Sequence, residues 1–336
     1  MGSRILVTGG AGFIGSHLVD HLVGEGHAVT VLDDFSSGNR GNLAEAQSAG
    51  DVRIVAGSIL EPETVADAIE DCDLVFHLAV QCVRCSIGNP IENHHVNATG
   101  TLRVLEAARH RRVRRFVYCS SSEVYGNVSC ERLDEETLCA PTTVYGAAKH
   151  VSELYSQVYR TVYSLPVVIV RPFNAYGPRA HASGALGEVI PRFLIRVLSD
   201  RPPIIFGNGK QGRDFTYVTD TVRGLALSGE IPAAEGRVIN IARGELITIC
   251  EVAHKVAALC QRPDLGPVYV DSRPGDVHRL HARTDRARDL LGYAATISFE
   301  EGLERYIDWF TRMHPNHSAM LEEDPINWSI LKTFEH

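Results

Sequence analysis

Residues 4–15 read Arg-Ile-Leu-Val-Thr-Gly-Gly-Ala-Gly-Phe-Ile-Gly: an apolar β-branched run, a glycine cluster, then the start of a helical pattern. Gly9, Gly12 and Gly15 fall at G-x-x-G-x-x-G spacing. A strand that turns sharply into a helix needs a residue tolerant of positive φ. It also needs backbone unobstructed by side chains if a pyrophosphate is to approach the free N–H groups of the helix start. Asp33 ends the next apolar run, about 20 residues on, where a carboxylate can accept hydrogen bonds from ribose hydroxyls. The same charge repels a 2′-phosphate, so the reading favours NAD over NADP.

The pattern continues outward from this turn. Arg4–Thr8, Ala28–Leu32, Val52–Ala56, Leu74–Ala79, Arg115–Cys119 and Val167–Val170 read as strands buried on both faces. Helical stretches lie between them at 13–24, 61–70, 93–110 and 143–163. The alternation predicts an α/β fold, a Rossmann-type doubly wound parallel sheet. Beyond residue 171 Pro and Gly cluster, and helices are expected near 187–199, 219–229, 248–261 and 299–312. We expect an NAD-binding domain over 1–171, with returning segments near 215–245. A smaller mixed α/β lobe over 172–315 would bind substrate, followed by a tail over 316–336.

The 336 residues are 44% hydrophobic and 22% charged, ordinary globular composition, with a formal charge of −8. That charge offers no basic field for nucleic acid. No apolar run is long enough to span a membrane and the N-terminus carries no leader pattern, so the expected location is cytoplasmic. The eight cysteines read as reduced thiols. Cys82 and Cys85 form a C-x-x-C without a second pair at zinc-ribbon spacing, and no metal is expected. His94 and His95, adjacent on a helix, point about 100° apart and do not chelate together.

Tyr145 and Lys149 stand at i, i+4 at the start of a helix, on one face. A cation near the phenol favours phenolate. Bringing a tyrosine from a pKa near 10 to neutrality takes about 4 kcal/mol. Ser120-Ser121-Ser122 follows a strand C-terminus, where open α/β sheets bind ligands, so a serine hydroxyl can bridge tyrosine and substrate.

With these residues in place, the chain resembles the extended short-chain dehydrogenase/reductase family, the nucleotide-sugar epimerases and dehydratases. Ordered landmarks run through most of 4–310. They are GGAGFIG (9–15), HLA (77–79), NATGTLRVLEAA (97–108), SSSEVYG (120–126), YGAAK (145–149), RPFNAYGPR (171–179), GRDFTYVTD (212–220) and RPGD (273–276). The resemblance implies Ser121, Tyr145 and Lys149 as catalytic residues. It implies cofactor contacts from Gly9, Gly12, Phe13, Ile14, Gly15, Asp33, Ser58, Ile59, Leu78, Ala79 and Lys149. Ser122, Asn174, Arg213, Arg273 and Asp276 would bind the nucleotide sugar. Arg84 and Arg179 are placed as flanks of the sugar pocket. One departure stands at Gly57-Ser58-Ile59, where the family often carries Asp-Ile or Asp-Leu to hold adenine. A homodimer through helices 93–110 and 143–163 is also implied, since their apolar stripes exceed what one sheet face needs.

Family chemistry runs through a transient 4-keto sugar. Glu123, two positions past Ser121, is placed on the same side of an extended segment, where its carboxylate can remove a C5 proton. A 4,6-dehydratase or related C5 chemistry on a UDP-, dTDP- or GDP-sugar leads. A UDP-sugar C4 epimerase or a UDP-glucuronate decarboxylase is the alternative, and Ser122 stands where dTDP-glucose dehydratases carry an acid. A non-catalytic dinucleotide sensor on the same fold should lack the Ser-Tyr-Lys set, which is present.

Overall fold

The computed structural model describes residues 2–328; positions 329–336 of the 316–336 tail lie outside the described residues. Seven parallel strands form the main sheet, in the order Val238–Ile241, Val167–Pro172, Arg115–Cys119, Leu74–His77, Arg4–Thr8, Ala28–Asp33, Val52–Ala56. The central five are nearly continuous buried runs, because helices cover both faces. Chain order runs one way from Arg4–Thr8 and then reverses through Leu74–His77. The crevice at that reversal is where a doubly wound sheet binds ligands.

The Leu74 strand stops at His77 rather than continuing to Ala79. Leu78 N and Ala79 N both donate to Thr8 Oγ1, at 3.2 Å each, which turns the chain into the crevice. His77 is buried between Thr8 Oγ1 (2.7 Å) and Thr101 Oγ1 (2.9 Å). Burial holds its imidazole down to about 3, so it stays neutral and structural.

The helix expected over 93–110 is three pieces: Pro90–His94, a wide turn of π type over His95–Gly100, and Thr101–Arg111. The cause is local. Asn97 C=O accepts from Thr101 Oγ1 (2.6 Å) and Ser152 Oγ (2.8 Å), so hydroxyls compete with the backbone ladder. The Asn97 side chain meanwhile holds Gln81 N and O at 2.9 and 3.0 Å. The irregular turn thus anchors the loop that leaves the crevice.

After Pro172 the chain builds short pairings, including Ile204–Phe206 with Val268–Val270 and Gly212–Arg213 with Ile247–Thr248 and Arg279–Leu280. Val238–Ile241 returns to the main sheet beside Val167–Pro172. Aromatic residues Tyr176, Phe215, Tyr217 and Phe299 pack together where the helix Phe299–Met313 meets these segments. Among the described residues no helix is long and apolar enough to cross a membrane.

Candidate active site

One cleft of about 580 Å³ runs from the glycine turn across the strand ends to the second lobe. Every candidate cofactor, catalytic and substrate residue lines it except one. Arg179 stands apart, ion-paired with Asp20 at 2.6 Å and near Glu45 at 3.7 Å. Its placement as a pocket flank is therefore corrected: Asp20 on the helix Phe13–Gly24 and Glu45 on the helix Ala44–Ala49 hold it apart from the cleft lining.

The glycine turn fits a dinucleotide phosphate. Gly9 adopts φ +69°, and a Cβ there would meet Ala79 Cα at 2.7 Å. A Cβ on Gly15 would meet Gly9 O at 2.1 Å. Helix and turn thus approach as closely as bare backbone permits. Gly15→Ala is expected to cut NAD affinity at least tenfold, read as the cofactor retained on purification; unchanged retention would count against this cradle. Asp33 spans the turn, Oδ2 accepting from Ala11 N and Oδ1 from Phe35 N, both at 2.9 Å. Burial pushes its carboxyl up and those N–H donors oppose it. Each oxygen keeps a further lone pair for a ribose hydroxyl. Ser58 also has a local task, since its Oγ accepts from Leu60 N at 3.1 Å.

Thr143 caps the helix Val144–Tyr163 by accepting from Gly146 N at 3.1 Å, which places Tyr145 in the first turn and Lys149 one turn later. Ser121 stands beside the Tyr145 phenol in the cleft. Burial nonetheless raises the phenol above its ordinary range, with the serine working against that rise. The sequence led us to expect a lowered phenol beside an ammonium. Instead, the Lys149 Nζ donates to Cys119 O at 2.5 Å and lies 4.6 Å from the centre of the Tyr118 ring. Burial brings Lys149 down to about 8.

Glu123 is not on an extended segment. Ser122–Val124 forms a 3-10 turn, capped by Ser121 Oγ accepting from Glu123 N at 3.2 Å. The carboxylate still reaches the cleft. Burial raises its pKa, opposed first by Arg213 and then by Arg273, with Arg84 further down. Asp276 Oδ1 joins the two nearer arginines, accepting from Arg213 Nη2 at 2.9 Å and Arg273 Nη2 at 2.6 Å. Gln211 Nε2 links Asp276 Oδ2 (3.3 Å) to Phe206 O (2.7 Å). Asn174 lines the cleft, and its Oδ1 is buried without a hydrogen-bond partner.

A glycine cradle after the Arg4–Thr8 strand, Ser121 after the Arg115–Cys119 strand, Tyr145 and Lys149 on the helix Val144–Tyr163 and an arginine pair all face one cleft. The NAD dependent epimerase/dehydratase family model matches residues 5–242. The chain belongs to this family. It is 36% identical over 310 residues to the UDP-glucose 4-epimerase of Mycolicibacterium smegmatis, covering 91% of this chain and 98% of that one. It is 34% identical over 315 residues to the dTDP-glucose 4,6-dehydratase of Streptomyces niveus, covering 91% and 92%. The UDP-glucuronic acid 4-epimerase of Bacillus cereus, solved with UDP-glucuronic acid and NAD, superposes at TM-score 0.86 and 32% identity over 92% of this chain and 99% of that one. This family member is an NAD-dependent nucleotide-sugar enzyme.

Residues beyond the sequence motifs complete the cleft. Arg192, on the helix Val189–Leu198, pairs with Glu322 at 3.4 Å. Trp328 packs on Phe206 with ring centroids 4.6 Å apart, and Asn327 Nδ2 donates to Gly187 O at 3.1 Å. The described part of the tail thus walls the cleft, although nothing in its composition marks a role. Among the described residues, one other cluster gathers metal-type ligands: Cys139, His150 and Glu153, within 4.8 Å of one another. Its Glu153 is already engaged by Arg171 and Ser120.

Proposed function

We propose that this enzyme oxidises C4 of a nucleotide sugar and that Glu123 then removes the C5 proton as the C6 hydroxyl leaves as water, the hydride taken from C4 ending at C6, so that dehydration of the 4,6 type gives a 4-keto-6-deoxy sugar. The observation that carries this reading is the Glu123 carboxylate itself, in the cleft and within electrostatic reach of both Tyr145 and the arginine pair. A carboxyl whose pKa is raised by burial is better matched to proton transfer near neutrality than an exposed one.

Bound NAD supplies the two-electron acceptor at sugar C4. Tyr145 takes the C4 hydroxyl proton, with Ser121 hydrogen-bonded to both phenol and substrate oxygen. Lys149 holds positive charge beside this site. Arg213 and Arg273 grip the diphosphate, and Asp276 fixes their orientation. Asn174, which lines the cleft, contacts the nucleotide sugar. On this reading residues 1–171, with the returning segments near 215–245, hold NAD and 172–315 mainly hold the nucleotide sugar.

C4 epimerisation is the second reading. Ser122, 4% exposed, presents a neutral hydroxyl where loss of the C6 hydroxyl needs a proton donor. Product masses from UDP-, dTDP- and GDP-sugars incubated with enzyme and NAD decide between them. Loss of water supports dehydration, loss of carbon dioxide makes it a decarboxylase, and an isomer of unchanged mass makes it an epimerase.

The homodimer is proposed on a separate observation. Leu154, Val158 and Val162 project at i, i+4, i+8 from the helix Val144–Tyr163 and are 48%, 50% and 62% exposed. A stripe of this kind calls for a partner helix. Light scattering is expected to give twice the chain mass, and Val158→Glu to halve it. A monomeric native protein would overturn the proposal.

A further inference from the structure

The C-x-x-C pair is not spent in the chemistry above, yet it stands at the cleft. Cys82 lines the cleft immediately before the short helix Val83–Gly88, and Cys85 sits within that helix. Their sulfurs lie 3.4 Å apart and share a hydrogen bond. Both residues are half-buried, neither sealed from small solutes nor loose at the surface. The backbone that carries Cys82 is clamped. Asn93 Nδ2 donates to Cys82 O at 3.1 Å and to Gln81 O at 3.2 Å, and Asn97 holds Gln81 from both sides.

We propose that Cys82 and Cys85 are a peroxide-sensitive dithiol that closes to a disulfide and switches the cleft off. Closure needs the sulfurs to move from 3.4 Å to about 2.05 Å. Ionisation favours Cys82 as the attacking sulfur. The hydrogen bond from Cys85 lowers its pKa first, burial resists, and the Arg84 guanidinium lowers it further.

The chemistry balances with a peroxide as the oxidant. Cys82 thiolate attacks one peroxide oxygen, the O–O bond breaks, and hydroxide leaves, giving a sulfenic acid. The Cys85 thiol then attacks the Cys82 sulfur, the S–O bond breaks, and the departing hydroxide takes the thiol proton and leaves as water. Two electrons pass from the sulfur pair to the peroxide. The resulting bridge spans the turn that bears Arg84 and sits beside Tyr145, whose phenol feels the charge on Cys82. Substrate positioning is lost while the fold remains.

The test uses full-length enzyme with its NAD, exposed to hydrogen peroxide, alkylated and digested. Trypsin cuts after Arg84, between the two cysteines, so the bridge joins peptides 54–84 and 85–103. Cys72 shares the first peptide, so Cys82→Ser is run alongside. We expect the linked pair, 2 hydrogens lighter, in the native enzyme, absent from Cys82→Ser and reversed by dithiothreitol. We expect Cys85→Ser to stop at a sulfenic acid that dimedone traps. Turnover should fall at least tenfold on closure and return on reduction. Two separately alkylated cysteines after peroxide would overturn the proposal, as would a formed bridge with turnover unchanged. The peptide readout needs no turnover, so failure of the sugar chemistry proposed above leaves it decisive.

Discussion

Replacing Tyr145 by Phe is expected to lower kcat about a thousandfold. The ring packing is preserved and one oxygen is lost, the phenol that stands beside Ser121 in the cleft. NAD retention should be unchanged, because the glycine cradle and Asp33 lie on other elements. The split matters: a fall in kcat with KM held shows an interaction used in the transition state, whereas a rise in KM alone shows a binding role. Rapid-quench turnover with the best substrate of the panel provides the check. A variant within tenfold of native would remove Tyr145 from the chemistry.

The second large effect concerns stability. Arg171 and Glu153, 4% and 1% exposed, form a buried fork, with Arg171 Nε on Glu153 Oε1 at 2.9 Å and Nη2 on Oε2 at 2.6 Å. Ser120 Oγ donates to the same carboxylate at 2.5 Å, and the guanidinium lies 4.8 Å from the centre of the Tyr125 ring. The pair ties the Arg115–Cys119 strand end, the Tyr145 helix and the Val167–Pro172 strand together one residue from Ser121. Arg171→Ala leaves a buried carboxylate without its partner and is expected to cost about 3–5 kcal/mol, read from the urea midpoint. A double replacement, Arg171→Met with Glu153→Met, should recover most of the loss, since the charge and its desolvation leave together. A loss below about 1 kcal/mol in the single variant would refute this assignment. The pH dependence has a definite sign. Burial pushes Glu153 up, but the Arg171 hydrogen bonds, with His150 nearby, more than offset it, so its folded pKa is depressed. Its contribution is complete above about pH 4.3 and is lost as pH falls through the lower folded value.

The sequence carried the sheet because buried parallel strands are continuous apolar runs and the glycine turn needs its glycines. Its errors fall where side chains override the local pattern. Asn97, reached by Thr101 and Ser152, breaks a helix that periodicity draws as continuous. Thr8 ends a strand that composition would extend through Ala79. The site was legible where backbone geometry demands a residue type, as at Gly9, and at the i, i+4 pairing of Tyr145 with Lys149. Arg179 shows the limit, since an arginine beside a motif goes to whichever carboxylate the fold brings near, here Asp20. Lys149 shows another: the Cys119 carbonyl that accepts its hydrogen bond lies 30 residues back in the chain. The wall made by Glu322, Asn327 and Trp328 depends on contacts more than a hundred residues away in sequence, which no local pattern encodes.

The claim that Glu123 acts at C5 is tested most directly by turnover in deuterium oxide, with native enzyme and Glu123→Gln compared by mass spectrometry and NMR of the product. The account predicts loss of water with one solvent deuterium at C5 in the native reaction, and both signals lost in Glu123→Gln while NAD stays bound. An isomeric product without deuterium at C5, made equally well by Glu123→Gln, would contradict it.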